Sequence, residues 1–198
     1  MRATVRRMDS RQRLTQTMLK LLRTQGLRAT GLNQIIAESG APRGSIYHHF
    51  PGGKEQLAVE ALHAAGELTG AKIRAAATSA KGSTGPLRAF AETYAAEMRE
   101  SDFQQACPIG NAVTDAAAGS PAIRDACSDV FAAWEKTIAQ SLEQAGFDKK
   151  ESRDLAEFVL SSIEGALILC RARRSVEPLM RVTRRLEAML SAAKRRQS

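Results

Sequence analysis

The chain is short of cysteine, of aromatic residues and of long apolar runs, and each shortage removes a class of protein. Its three cysteines, Cys107, Cys127 and Cys170, are odd in number and widely spaced. Neither a disulfide framework nor a C-x-x-C zinc or redox motif can be drawn from them, so reduced thiols in a cytoplasm are expected. A redox-sensing Cys107, just ahead of Pro108, would need a depressed pKa, which depends on its surroundings. The longest apolar run, GALILC at Gly165–Cys170, falls far below the roughly 20 residues a membrane helix needs. The opening MRATVRRMDS has three arginines and no apolar core, so neither a secretory leader nor a membrane anchor is expected. No G-x-S-x-G, H-E-x-x-H or P-loop occurs, and Ser, His and Asp show no triad spacing, so enzyme chemistry finds no support. His48 and His49 are adjacent, point apart on a helix and have no further His or Cys at a ligand spacing, so no metal or other cofactor is expected.

What remains is a helical composition. Aromatics are 5% of the 198 residues, Ala, Leu, Glu, Arg and Lys abound, and β-branched runs are short, which favours an all-α fold. The net charge of +8 is unevenly spread. Residues 1–56 hold ten Lys/Arg against three Asp/Glu, residues 57–170 ten against sixteen, and residues 171–198 nine against two. Basic ends around an acidic body point to a polyanionic partner met by the N-terminal segment.

Apolar spacing divides the chain into about nine helices. Leu14, Met18, Leu21 and Leu22 recur at offsets of three and four after the cap candidates Asp9 and Ser10, and Gly26 ends that helix. A two-turn helix with Leu32, Ile35 and Ile36 stops at Ser39-Gly40. A third is predicted to start at Pro42, with Ile46 and Phe50 inward, and to stop at Pro51-Gly52-Gly53. Long alanine-rich helices follow: one over 54–80 with Leu57, Ala61, Leu62, Ala65 and Leu68 inward, then a loop at 81–85, then 86–100, 108–118, a helix opened by Ser120-Pro121, one opened by Asp148, and a last one from about Glu177. The predicted domains are residues 1–53, three short helices, and residues 54–198, the larger helical body.

Two short helices joined by a tight turn containing Gly40 match the helix-turn-helix plan, whose second helix enters the major groove. Burying Ile46 and Phe50 leaves Arg43, Ser45, Tyr47 and His48 on the outside, and Gly44 lets the backbone approach a duplex closely. Arg2, Arg6 and Arg7 could form an arm along the DNA or an ordinary frayed terminus.

The segment ATGLNQIIAESGAPRGSIYHHF closely resembles the N-terminal signature of the TetR family of transcriptional regulators. YHHFPGGKEQLA, and more loosely CPIGNAVTDAAAGSPAIRDACSDVFAAW, resemble its LmrA/YxaF-like branch, and the family motif region extends to about residue 68. The family often has a hydroxyl residue at the position of Gly31, so a side-chain cap is missing there. The resemblance implies a DNA-binding surface of Thr30, Gly31, Arg43, Gly44, Ser45, Tyr47, His48, His49 and Lys54. Arg43 would read guanine or clasp a phosphate, and Tyr47, His48 and Lys54 would hold phosphates.

It also implies a homodimer on a palindromic double-stranded DNA operator, acting as a repressor released by a small, apolar or aromatic inducer. An activator of the same architecture and a non-specific architectural DNA binder remain the alternatives. The expected inducer pocket is Phe90, Tyr94, Met98, Phe103, Asn111, Phe131, Trp134, Ile138 and Phe158, with Asn111, Asp115 and Glu164 as polar residues able to orient a ligand or sit exposed. The apolar residues of the last two helices exceed what one packed face needs. The expected dimer face is Leu155, Val159, Ser162, Ile163, Ala166 and Leu167 with Leu179, Val182, Leu186 and Leu190.

Overall fold

The computed structural model describes residues 8–79 and 84–197, so the Arg2, Arg6 and Arg7 arm and most of the predicted 81–85 loop lie outside the described residues. Nine α-helices and one 3-10 turn make up the described chain, with no strand.

Helix α1 (Ser10–Thr24) opens on a reciprocal cap: Asp9 Oδ1 accepts from the Gln12 amide at 2.8 Å, while Gln12 Oε1 accepts from the Asp9 amide at 3.2 Å. Gly26, at φ +80, turns the chain out of it. Helix α2 (Leu32–Ser39) ends at left-handed Gly40. Helix α3 is shorter than predicted, spanning Ser45–His49. The Ser45 amide donates to Pro42 O at 2.9 Å, so Pro42 opens a tight turn through Arg43 and Gly44 and the helix starts after it.

Helix α4 (Gly53–Ser79) is followed by α5 (Gly85–Glu100), α6 (Pro108–Ala116), the 3-10 turn Ala117–Gly119, α7 (Pro121–Gln144), α8 (Lys149–Arg173) and α9 (Glu177–Gln197). Ser120 caps α7 through the Ile123 amide, and Asp148 caps α8 through the Lys150 and Glu151 amides. The predicted caps therefore stand, and α8 runs three residues past Cys170 to end at left-handed Arg174.

Helix α4 is the spine, packing on α1 at one end and on α5 and α7 along its length. Leu57, Ala58, Ala61, Leu62 and Ala65 are fully buried. Leu68, predicted inward, is instead 53% exposed, and Thr69 is buried in its place. Beyond Ala65 the buried stripe passes through small residues, which the sequence pattern undervalues. Gly66 shows why. A Cβ there would lie 2.7 and 2.9 Å from the two Val130 methyls, and the Trp134 indole donates to Gly66 O at 2.9 Å. Helices α4 and α7 cross at backbone distance only because this position carries no side chain.

The apolar core is continuous from Leu14 in α1 to Leu186 in α9. The predicted division at 53/54 falls at the first turn of α4, and packing runs across it. A two-pronged Arg88–Glu187 pair, 2.8 Å on each prong, ties α5 to α9.

Candidate nucleic-acid interface and ligand cavity

The α2–α3 corner presents Arg43, Gly44, Tyr47 and His48 to solvent, with Tyr47 63% exposed although it is a large ring. Ser45 and His49 are half-buried. Ile46 and Phe50 are fully buried and anchor the helix, with Arg11, held by Glu60, lying over the Phe50 ring. His48 and His49 meet edge to face at 4.8 Å.

Several cations of this unit are spent inside the chain: Arg11 on Glu60, Lys20 on Glu38 and Arg28 on Asp115. Arg43 forms no ion pair among the described residues, which leaves its guanidinium available to an external anion. Gly31 and Gly44 both have negative φ, and a Cβ at either would meet nothing within 4 Å. Nothing inside the chain requires glycine at these two exposed positions.

One expected contact differs in the structure. Thr30 is fully buried: its hydroxyl donates to Gly26 O at 2.6 Å and accepts from Gln25 Nε2 at 3.3 Å. Its side chain completes the α1–α2 turn and has no surface to offer DNA. Lys54 is half-buried at the base of α4, where burial pushes its pKa down and Asp115 partly restores it.

Within the larger body, α4, α5, α7, α8 and α9 enclose about 80 Å³ of free space. Its walls are Thr69, Ile73, Ala76 and Ala77 of α4, Pro86, Leu87, Phe90 and Tyr94 of α5, Trp134, Ile138, Ser141 and Leu142 of α7, Val159, Leu160, Ile163, Glu164 and Leu167 of α8, and Leu190 of α9, with Cys107 at one end. Of the nine expected pocket residues the structure brings together Phe90, Tyr94, Trp134 and Ile138. Met98 is buried beside a smaller recess with Arg23 and Lys72. Phe103 occupies a left-handed turn at φ +58, and Phe131 packs edge-on to Trp134 at 5.7 Å, outside the lining. Phe158 faces outward, 51% exposed.

Seven of the ten residues of the expected dimer face are buried within the subunit. Val159, Ile163, Leu167 and Leu190 wall the cavity, Ala166, Leu179 and Leu186 are buried in the subunit core, and Leu155, Ser162 and Val182 are half-buried. The outward apolar residues of α8 are Phe158, Ile168 and Leu169, 51%, 66% and 43% exposed, with Ser161 and Gly165 between them. Helix α8 carries apolar residues on two faces, and periodicity groups residues by face without saying which face looks inward.

One end of the cavity is polar. Burial pushes the Glu164 carboxyl above the ordinary carboxylate range, partly offset by a hydrogen bond from the Cys107 thiol. Burial, and then the nearby Glu164, push the Cys107 thiol well up; burial does the same to the Tyr94 phenol, with Cys107 and Glu164 adding to it. Cys107 is thus a buried, protonated thiol that accepts from the Gly110 amide at the start of α6, and the depressed pKa a redox sensor needs is not there.

The cavity is joined to α1 by hydrogen bonds that sequence reading missed. Asn111 of α6 donates to Leu22 O at 3.1 Å and Arg23 O at 3.3 Å, Arg171 of α8 donates to Thr24 O at 3.0 Å, and the Ala106 amide donates to Arg23 O. Asp115 accepts from the Arg28 amide at 2.6 Å. The Leu22, Arg23 and Thr24 carbonyls belong to the last turn of α1 and have no partner within their own helix. Helix α6 therefore has the cavity's Cys107 at its first residue's edge and grips the base of the helix-turn-helix unit further along.

Comparison with known proteins agrees with this arrangement. Residues 14–61 match the description "Bacterial regulatory proteins, tetR family", and residues 84–185 match "Transcriptional regulator LmrA/YxaF-like, C-terminal domain". The chain is 33% identical to the HTH-type transcriptional regulator YxaF of Bacillus subtilis, over 92% of this chain and 95% of that one. It is 31% identical to the HTH-type transcriptional regulator LmrA of the same organism, over 88% and 93%. A TetR regulatory protein from Rhodobacter sphaeroides shares the fold, with a TM-score of 0.81 at 22% identity, over 90% of this chain and 97% of that one.

Proposed function

The chain belongs to the TetR family of bacterial transcriptional regulators, with an LmrA/YxaF-like C-terminal domain, and on that footing we propose that it is a homodimeric repressor released from its operator by a small-molecule inducer. Residues 1–53 read DNA, and residues 54–198 bind the inducer and dimerise. Arg43 reads or clasps DNA from the turn before α3, Tyr47 and His48 contact it from the helix, Gly31 and Gly44 let the backbone come close, and Ser45, His49 and Lys54 border the contact.

The observation that carries the reading is the shared helix. Thr69, Ile73, Ala76 and Ala77 of α4 line the cavity, and the same helix begins directly behind α3. A ligand that pushes on this wall moves the reader with it, and α6 offers a second route through Asn111 and Asp115 to the end of α1. The ligand acts only through unequal affinity for the DNA-competent and released states.

The outward stripe of α8 supports the dimer. Phe158, Ile168 and Leu169 share one exposed face of α8, with the small Ser161 and Gly165 between them, and a two-fold axis on that face would present two readers to a palindrome. Footprinting on the DNA flanking the chain's own gene, with and without cavity ligands, tests the proposal. Protection of a two-fold symmetric site that a cavity ligand abolishes supports it; uniform, sequence-independent protection unaffected by any ligand overturns it.

A further inference from the structure

We propose that the cavity takes an apolar body carrying a protonated amine, the ammonium docking on Glu164 beside Tyr94 while the body lies among Phe90, Trp134 and Ile138. The assignment rests on reading this cavity as the inducer site.

Beside the hydroxyls of Thr69 and Ser141, its titratable groups meet from three separate elements: Tyr94 on α5, Cys107 at the edge of α6 and Glu164 on α8. Only Glu164 carries a formal charge when ionised in the ordinary way. A carboxylate offers about four lone-pair sites, and here the chain supplies one weak thiol donor. The cations bordering this end, Arg23 and Lys72 in the adjoining recess, make no ion pair with Glu164, and Lys72 is engaged with Glu97. An acidic group held half-buried among apolar neighbours without a cation favours whatever brings one. An ammonium supplies the charge and up to three donors, an alcohol supplies one neutral donor, and a carboxylate is repelled.

The rest of the lining suits an organic cation. Phe90, Ile138, Val159, Leu160, Ile163 and Leu167 are apolar, and the Tyr94 and Trp134 rings in the same lining are of the kind whose π faces attract a cation. Gly110 lies directly against this carboxyl: a Cβ there would stand 3.0 Å from Glu164 Oε2, so the missing side chain leaves the carboxyl its place between α6 and α8.

The test uses three probes with one body small enough for the free space: n-propylamine, 1-propanol and propionate. Trp134 is the single tryptophan and lines the cavity, so its emission in the full-length protein at neutral pH reports binding. The amine is expected to bind about tenfold more tightly than the alcohol, the margin of a charge-assisted over a neutral hydrogen bond, and the carboxylate most weakly. Glu164→Gln is expected to bring the amine within about threefold of the alcohol and to leave the alcohol nearly unchanged, whereas Glu164→Asp keeps the amine first. An alcohol or carboxylate that equals the amine, or an amine preference that survives Glu164→Gln, overturns the ammonium assignment and leaves the cavity as a ligand site. Silence of Trp134 toward all three at saturating concentrations overturns both the assignment and the inducer-site reading.

Discussion

Gly66→Ala puts the packing of α4 against α7 to a quantitative test. The added methyl would sit 2.7 and 2.9 Å from the Val130 methyls, well inside carbon–carbon contact, and Val130 is itself buried at 4% exposure. Helix propensity alone would make the change stabilising by about 1 kcal/mol. Overpacking opposes it by about 2–3 kcal/mol, the upper part of its usual range, because both Val130 methyls are met at once and the Trp134 indole, bonded to Gly66 O, keeps the helices from parting freely. A net loss of about 1–2 kcal/mol is expected, a fall in Tm of about 2–8 °C for a chain of this size.

Val130→Ala alone removes two buried methyls and is expected to cost about 2 kcal/mol. In the double variant the new Cβ of residue 66 enters the space the valine leaves, so the losses do not add; a favourable coupling of at least about 1 kcal/mol is expected. Urea unfolding followed by far-UV circular dichroism and Trp134 emission, at one protein concentration because association contributes to stability, measures all four corners of the cycle. If Gly66→Ala is as stable as the parent or more so, or if the two changes add within about 0.5 kcal/mol, the close crossing is not what holds α4 in place. Because α4 carries the reader, the same single variant is also expected to alter operator affinity.

Arg43→Ala should cost about 1–3 kcal/mol at the operator and little on random DNA, whereas Lys54→Ala should weaken both alike and lower the salt slope by about 1; binding isotherms over a salt series separate the two. Ile168→Glu places a charge in the most exposed part of the α8 apolar strip and should shift the protein to monomers in sedimentation, with loss of cooperative operator binding. Glu164→Gln should stabilise the ligand-free protein increasingly as pH rises. The folded-state pKa of this acid is raised by burial above its ordinary value of 4.5, so the parent loses stability between that value and the higher folded one while the variant does not. Thermal melts of the pair from about pH 4 to 8 should diverge upward through that window, and parallel curves would contradict a buried carboxyl.

How much of this was legible beforehand varies by element. Helix starts that depend on local chemistry, such as Asp9, Ser120-Pro121 and Asp148, could be read from a few neighbouring letters, because a cap is satisfied by the next turn of its own chain. The start of α3 was misread because Pro42 is equally suited to a first helical position and to the first position of a tight turn. Thr30 looked like a surface hydroxyl, yet a short polar side chain can equally bond back to its own backbone, and here the carbonyl of Gly26 was within reach. Glu164 stood out as a polar residue among apolar ones, but only its neighbours from α5 and α6 revealed that it faces a cavity.

By itself the sequence determined the all-helical class, the helix-turn-helix unit, the family, and the division of charge between basic ends and an acidic body. These follow from local periodicity, caps and residue order, none of which needs distant contacts. The tertiary structure decided which face of α8 encloses the cavity and which is left outward, that α1 is gripped from α6 and α8, and that Gly66 admits α7 so closely. Those facts depend on the angle and depth at which helices far apart in the chain meet, and an amphipathic pattern specifies a buried face without specifying what buries it.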